Sequence, residues 1–200
     1  MTPASREPDT RTRLLEAGAE LFTKKGFHAC GLNEVLQHAG VPKGSFYHHF
    51  GSKEEFGVAL VERATAEHLE ELEGLVSDPA TPPVDRLRRV FETIRAECAE
   101  LGPTSTCLIP KLALETAHLS APVLEAVQRA YREWTSQLAV AVREGQALGV
   151  IRSDQTPERL ASLLVMLWEG ATMRMQVEHS MAPLDDFLDL AFDSLLRPKT

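Results

Sequence analysis

Residues 32–50, "LNEVLQHAGVPKGSFYHHF", hold two short helix-compatible runs separated by Gly40, Val41 and Pro42. That three-residue break limits the fold more than any other feature of the chain. Gly40 supplies the left-handed residue that closes a helix, and Pro42 suits a first helical turn, where its missing N–H is not needed. Leu32, Val35, Leu36 and Ala39 make one apolar stripe before the break, and Phe46 and Phe50, four apart, make another after it. Helices this short need another surface to pack on. Leu14, Leu15, Ala17, Gly18, Leu21 and Phe22 offer one, at helical spacing from Thr10 to Lys25, and Gly26 ends that run.

The same punctuation continues downstream. Ser52 with Glu55 three positions on is a capping box, which starts a fourth helix running to about Leu75 before "SDPATPPVD" breaks it. Helical patterns follow over 84–101, over a segment at 107–117, from Pro122 to about Leu148, from Pro157 to about His179 and from Leu184 to Leu196. No useful stretch alternates with period two. The spacing predicts an all-α chain of about nine helices, its first three forming a unit that ends near residue 56.

A helix-turn-helix packed on a first helix presents its second helix to a DNA major groove. A net charge of −8 opposes that use in bulk, but residues 1–56 are neutral and residues 57–200 carry the whole imbalance. A DNA-facing surface therefore rests on local placement. Lys43 and Ser45 lie in the first turn, Gly44 leaves room for close backbone approach, and Tyr47 and His48 are donors to phosphate oxygens. Lys53 is placed to reach a phosphate from the start of the fourth helix. The longest apolar run, Leu160 to Trp168, is about half a membrane span, and the first ten residues have no apolar signal core, so the expectation is a cytoplasmic protein with no membrane partner. Three cysteines without paired spacing fit a reducing compartment, and no His or Cys spacing suggests a metal or other cofactor.

"GFHACGLNEVLQHAGVPKGSFYHHFGSKEEF" (residues 26–56) resembles the N-terminal DNA-binding domain of the TetR family of transcriptional regulators, with Val41, Lys43, Gly44, Tyr47, Phe50, Ser52 and Lys53 in the family's pattern. Family members commonly have Thr or Ser at the two positions entering the second helix. Here these are Cys30 and Gly31, and Asn33 is the substitute contact. The resemblance implies a DNA-binding domain over 1–56 and a helical ligand-binding and dimerisation domain over 57–200. It further implies a homodimer on a palindromic operator and repression relieved by a small-molecule effector. It assigns the dimer interface to the last two helices, here through Leu160, Leu164, Leu167, Ala171, Phe187, Leu188 and Phe192.

"STCLIPKLALETAHLS" (residues 105–120) is similar to a segment of a TetR subgroup that includes electrophile- and acrylate-responsive regulators, where Gly-Cys-Leu opens the sixth helix. Thr106 replaces that glycine. Cys107 is thus either a thiol sensor or a packing residue, and Pro110 in a first helical turn would leave it just outside the helix. Trp134, Trp168, Met166 and Met173 fit either a ligand pocket or the core. The competing readings are a thiol enzyme using Cys107 with His118 and a helical scaffold. The enzyme places its pair about three turns apart, and both leave the helix-turn-helix unexplained.

Overall fold

The computed structural model describes residues 9–104, 107–116 and 120–198. They form α1 (Thr10–Lys25), α2 (Leu32–Ala39), α3 (Lys43–His49), α4 (Lys53–Val76), α5 (Pro83–Leu101), α6 (Leu108–Thr116), α7 (Ala121–Ala147), α8 (Pro157–Glu178) and α9 (Ala182–Leu190). Among the described residues there are no strands. A π-helical turn, Ala191–Leu195, extends α9, closed by the Leu196 N–H donating to the Ala191 carbonyl (3.0 Å), where the spacing predicted plain helix.

The chain packs as two compact units that do not follow its linear order. The N-terminal unit combines residues 1–65 with 107–130, and the C-terminal unit combines 66–106 with 131–200. This grouping by packing cuts across the linear division expected at residue 56. α6 and the first part of α7 belong with the helix-turn-helix, because long-range packing groups them and linear sequence does not.

In the N-terminal unit the core is aromatic. Phe22, Phe27, Phe46, Phe50 and Phe56 are buried and meet mostly edge to face, with centroids from 4.9 Å (Phe50–Phe56) to 5.8 Å (Phe22–Phe56). Such pairs add stability beyond the area they bury. α1 and α2 are also pinned by charge: Lys25 pairs with Glu34, and Glu20 meets His38 at 2.9 Å.

In the C-terminal unit Phe91 is the hub. Its ring lies 4.9 Å from Phe187, 5.3 Å from Trp168 and 6.2 Å from Phe192. Leu160, Leu164, Ala171, Met175 and Leu188 complete the buried face of α8 and α9. Buried Arg86 donates to the Val76 carbonyl at the end of α4 (2.7 Å) and pairs with Glu144, so its charge is met on two sides. Thr156 caps α8, accepting the Arg159 N–H at 3.2 Å. No helix among the described residues is long and apolar enough to cross a membrane.

Candidate nucleic-acid interface

α3 is held by one face. Phe46 and Phe50 anchor it in the aromatic core, and Val41 is buried ahead of it. Gly40, at φ +62°, closes α2 in the left-handed region, and the Gly40 and Val41 N–H groups donate back to α2 carbonyls. Arg13 of α1 reaches across to the Ala39 carbonyl (2.6 Å) and the Gly40 carbonyl (3.2 Å), fixing the turn from the other side. Pro42 is the cap of α3, one position earlier than expected, and the helix begins at Lys43.

The opposite face of α3 is open. Lys43, Gly44, Tyr47 and His48 are exposed, and Ser45 is half-buried. Tyr47 keeps 52% of its surface in solvent, with its ring edge-on to Phe46 at 5.4 Å. A side chain at Gly44 would meet nothing within 4 Å, so no internal packing requires glycine there. Asn33 is exposed on α2; the cap of that helix is Gly31, which makes no side-chain cap bond. Cys30 beside it is fully buried, and burial, with Glu34 second, pushes its thiol pKa up. The residue entering α2 is thus a core filler.

Lys53 is placed differently from its neighbours. Its ammonium donates to the Phe27 carbonyl and lies 4.6 Å from the centroid of the Phe27 ring and 5.7 Å from that of Phe22. Ser52 beside it caps the helix, its Oγ accepting the Glu55 N–H (3.0 Å), and Glu55 Oε2 reaches back one residue further to accept the Gly51 N–H (2.8 Å). Lys53 thus ties the start of α4 to the α1–α2 loop, a contact that no local pattern announces.

A second tie comes from α6. Lys111 Nζ donates to the Thr23 carbonyl (2.8 Å) and the Lys24 carbonyl (3.4 Å) at the end of α1, and Glu115 Oε2 accepts the His28 N–H (3.3 Å). Four residues apart on one helix face, a cation and an anion grip the carbonyl end of α1 and the loop after it.

Residues 14–60 match the model of the bacterial regulatory proteins of the tetR family, and residues 83–191 match the tetracyclin repressor-like C-terminal domain. The chain belongs to the TetR family. It is similar to the HTH-type transcriptional repressor DhaR of Mycobacterium sp. (strain GP1), 34% identical over 93% of this chain and 92% of that protein. It is also similar to the HTH-type transcriptional repressor NemR of Escherichia coli (strain K12), 35% identical over 91% of this chain and 92% of NemR. The crystal structure of the reduced form of E. coli NemR superposes with a TM-score of 0.87 at 33% identity, covering 93% of this chain and 96% of that one.

Two features bear on how a TetR-family chain of this kind is regulated and assembled. Cys107 is exposed and directly precedes α6; its carbonyl accepts the Lys111 N–H (3.4 Å), and Pro110 falls in the first turn. Cys98 is half-buried. His118, the partner considered for Cys107, lies outside the described residues.

Of the residues expected at the dimer interface, Leu160, Leu164, Ala171, Phe187, Leu188 and Phe192 are buried within the subunit's own core. Only Leu167 of the expected set is exposed, at 44%. α8 is apolar on two faces, and the second one, Met166, Leu167, Met173 and Val177, faces outward, with Leu190 exposed on α9. Of the four residues that fitted either pocket or core, Trp168 is core, Trp134 is half-buried, and Met166 and Met173 belong to this outer face.

Proposed function

We propose that this chain is a homodimeric repressor that reads a palindromic operator through α3 and releases it when a small molecule occupies the C-terminal domain. The observation that carries the reading is the exposed face of α3, where Lys43, Gly44, Tyr47 and His48 are open to solvent and nothing lies within 4 Å of a side chain at Gly44. A recognition helix anchored by two buried phenylalanines, with cationic and hydroxyl donors outward, suits phosphate positioning and base-edge readout. Ser45 and Asn33 supplement that surface, and Lys53 adds a phosphate contact to its bond with Phe27. Two copies are needed because one short helix reads too few bases, and the outward apolar face of α8 is the surface we assign to their pairing.

The test is DNA binding to the region flanking the chain's own gene, followed by fluorescence anisotropy at several salt concentrations. K43A and Y47A should each weaken binding about tenfold or more with unchanged thermal stability, and K43A should reduce the salt slope by about one. Retention of full affinity by both variants would remove α3 as the reading element. K53A should lower both stability and salt slope; a loss of stability alone would assign Lys53 to the fold only.

A second mode of release is favoured by one observation. Cys107 is exposed at the head of the helix whose Lys111 and Glu115 grip α1. Modification of its thiol by an electrophile or oxidant would disturb that grip, and partial positive charge at a helix N-terminus favours thiolate. Peptide mass spectrometry after limited alkylation should find Cys107 modified before Cys30. A C107S protein still released from DNA by electrophiles would refute the thiol route and leave reversible binding.

A further inference from the structure

Within the C-terminal unit, four polar side-chain atoms are sealed from solvent with no hydrogen-bond partner among the described residues: Arg86 Nε, Trp134 Nε1, Gln137 Oε1 and Glu169 Oε1. The last three are linked through α7. Trp134 and Gln137 sit one turn apart on α7, and Tyr131, a turn before Trp134, hydrogen-bonds the Glu169 carboxyl of α8. The Trp134 indole meets the His68 ring edge-on at 5.1 Å and lies 6.3 Å from Phe91. Gln137 has already spent its amide nitrogen on the Leu69 carbonyl (3.0 Å), so only its acceptor is left. A buried group without a partner costs free energy comparable to a lost hydrogen bond, and three together mark the place where the packing gains most by admitting a ligand.

The chemistry of that ligand follows from what the cluster holds. Two of the three unmet atoms are acceptors, and one belongs to a carboxyl. The influences on Glu169 are burial, which raises its pKa, and the Tyr131 hydroxyl. Those on Glu97 of α5, in the same unit, are burial and the carboxylates of Glu71 and Glu100, all of which raise it. Among the described residues, no cation is among the influences on either group. The arginines of α5 are engaged elsewhere: Arg86 with Val76 and Glu144, Arg88 with Asp193, Arg89 with Thr81, Arg95 with Asp185. The stretch of α4 in this unit, residues 66–76, carries four glutamates and no lysine or arginine.

Resting on the reading of this unit as the effector domain, we propose that its effector is an amphipathic organic cation bearing N–H donors, a protonated amine with an aromatic or aliphatic body. Its ammonium donates to Glu169 Oε1 and Gln137 Oε1, and its body lies against the Trp134 indole, where a cation and a ring face attract one another. An anion of the same shape finds one unmet donor, the Trp134 N–H, against two unmet acceptors, one of them a carboxyl, and is disfavoured.

A matched series tests this on the full-length protein without DNA, so that failure of operator binding leaves the result readable. Phenethylamine, 2-phenylethanol and phenylacetate share one body and differ in charge. The two tryptophans of the chain are Trp134 and Trp168, so W168F leaves Trp134 as the only fluorescent reporter. Phenethylamine at millimolar concentration should quench that emission and raise the melting temperature, the alcohol should do so more weakly, and the acid not at all. E169Q should weaken amine binding about tenfold to hundredfold with little effect on the alcohol, while E169D retains the preference. Equal or stronger binding of the acid or alcohol overturns the proposal. So does an amine that fails to bind, or one that binds E169Q and the unaltered chain alike. Should E169Q not fold, the charge preference of the unaltered chain and of E169D decides the matter.

Discussion

Between residues 9 and 65, long side chains answer the exposed ends of the backbone: Arg13 the last carbonyls of α2, Lys53 the Phe27 carbonyl, Glu55 the Gly51 N–H. In the C-terminal unit Arg86 Nε, Trp134 Nε1, Gln137 Oε1 and Glu169 Oε1 go unanswered, and outside it only Ser120 Oγ does among the described residues. The contrast separates two uses of buried polarity. A surface that must match the fixed geometry of a duplex gains from having its own hydrogen bonds complete, because nothing is left to rearrange on contact. A unit that must change state when a small molecule arrives gains from groups that only the newcomer can satisfy.

Leu164→Asp and Leu167→Asp press hardest on that contrast, since the two residues are neighbours on α8 with opposite fates. Leu164 is fully buried, and a charge there costs several kcal/mol, enough to unfold the C-terminal unit by circular dichroism. Leu167 is exposed, so its replacement should leave the subunit folded and turn dimers into monomers in sedimentation. Equal melting curves for the two variants would mean that the inward face of α8 is misassigned.

The grip of α6 yields the next effect. Gly26 has φ +92°, and a methyl group there would run into the Glu115 carboxyl. Gly26→Ala should cost about 1–3 kcal/mol by strain and loss of the His28–Glu115 bond, read as a lower melting temperature. Gly44→Ala should do the reverse on a smaller scale. With open space around it, alanine stabilises α3 by about 0.5–1 kcal/mol while its methyl group weakens operator binding. A G44A protein that gained stability and kept its DNA affinity would exclude close backbone approach at this position.

The mildest effect is a slope with pH. Burial lowers the pKa of His68 from 6.5, so the unfolded chain takes up its proton first, and stability falls as pH drops below about 6.5. Glu169 works in the other direction. Its pKa is raised from 4.5, so the stability it contributes is whole below that value and is lost as pH rises through the folded one. Denaturant midpoints of the unaltered chain and H68L from pH 7.5 to 5.5 should diverge on the acid side, with the variant the flatter.

Sequence reading succeeded where the determinants are local. α1 runs over the residues its periodicity marked, Ser52 caps α4, and Pro110 falls in the first turn of α6. On α8, whose residues 160–177 are apolar on both faces, periodicity alone had no polar side by which to choose between buried Leu164 and exposed Leu167. Lys53 and Lys111 were legible as surface cations but not as partners of Phe27 and Thr23, because those carbonyls lie 26 and 88 residues away in sequence.

The gathering of residues 107–130 with residues 1–65 has a consequence for protein engineering. A chimera that joins this DNA-reading head to a foreign sensing body at the linear boundary near residue 56 would discard α6. Its first helix would then lose the partners of the Thr23 and Lys24 carbonyls and of the His28 N–H. The transplantable piece is discontinuous. A working graft must carry Lys111 and Glu115 along with the head, or choose a donor whose own sixth helix presents a cation and a carboxylate four residues apart.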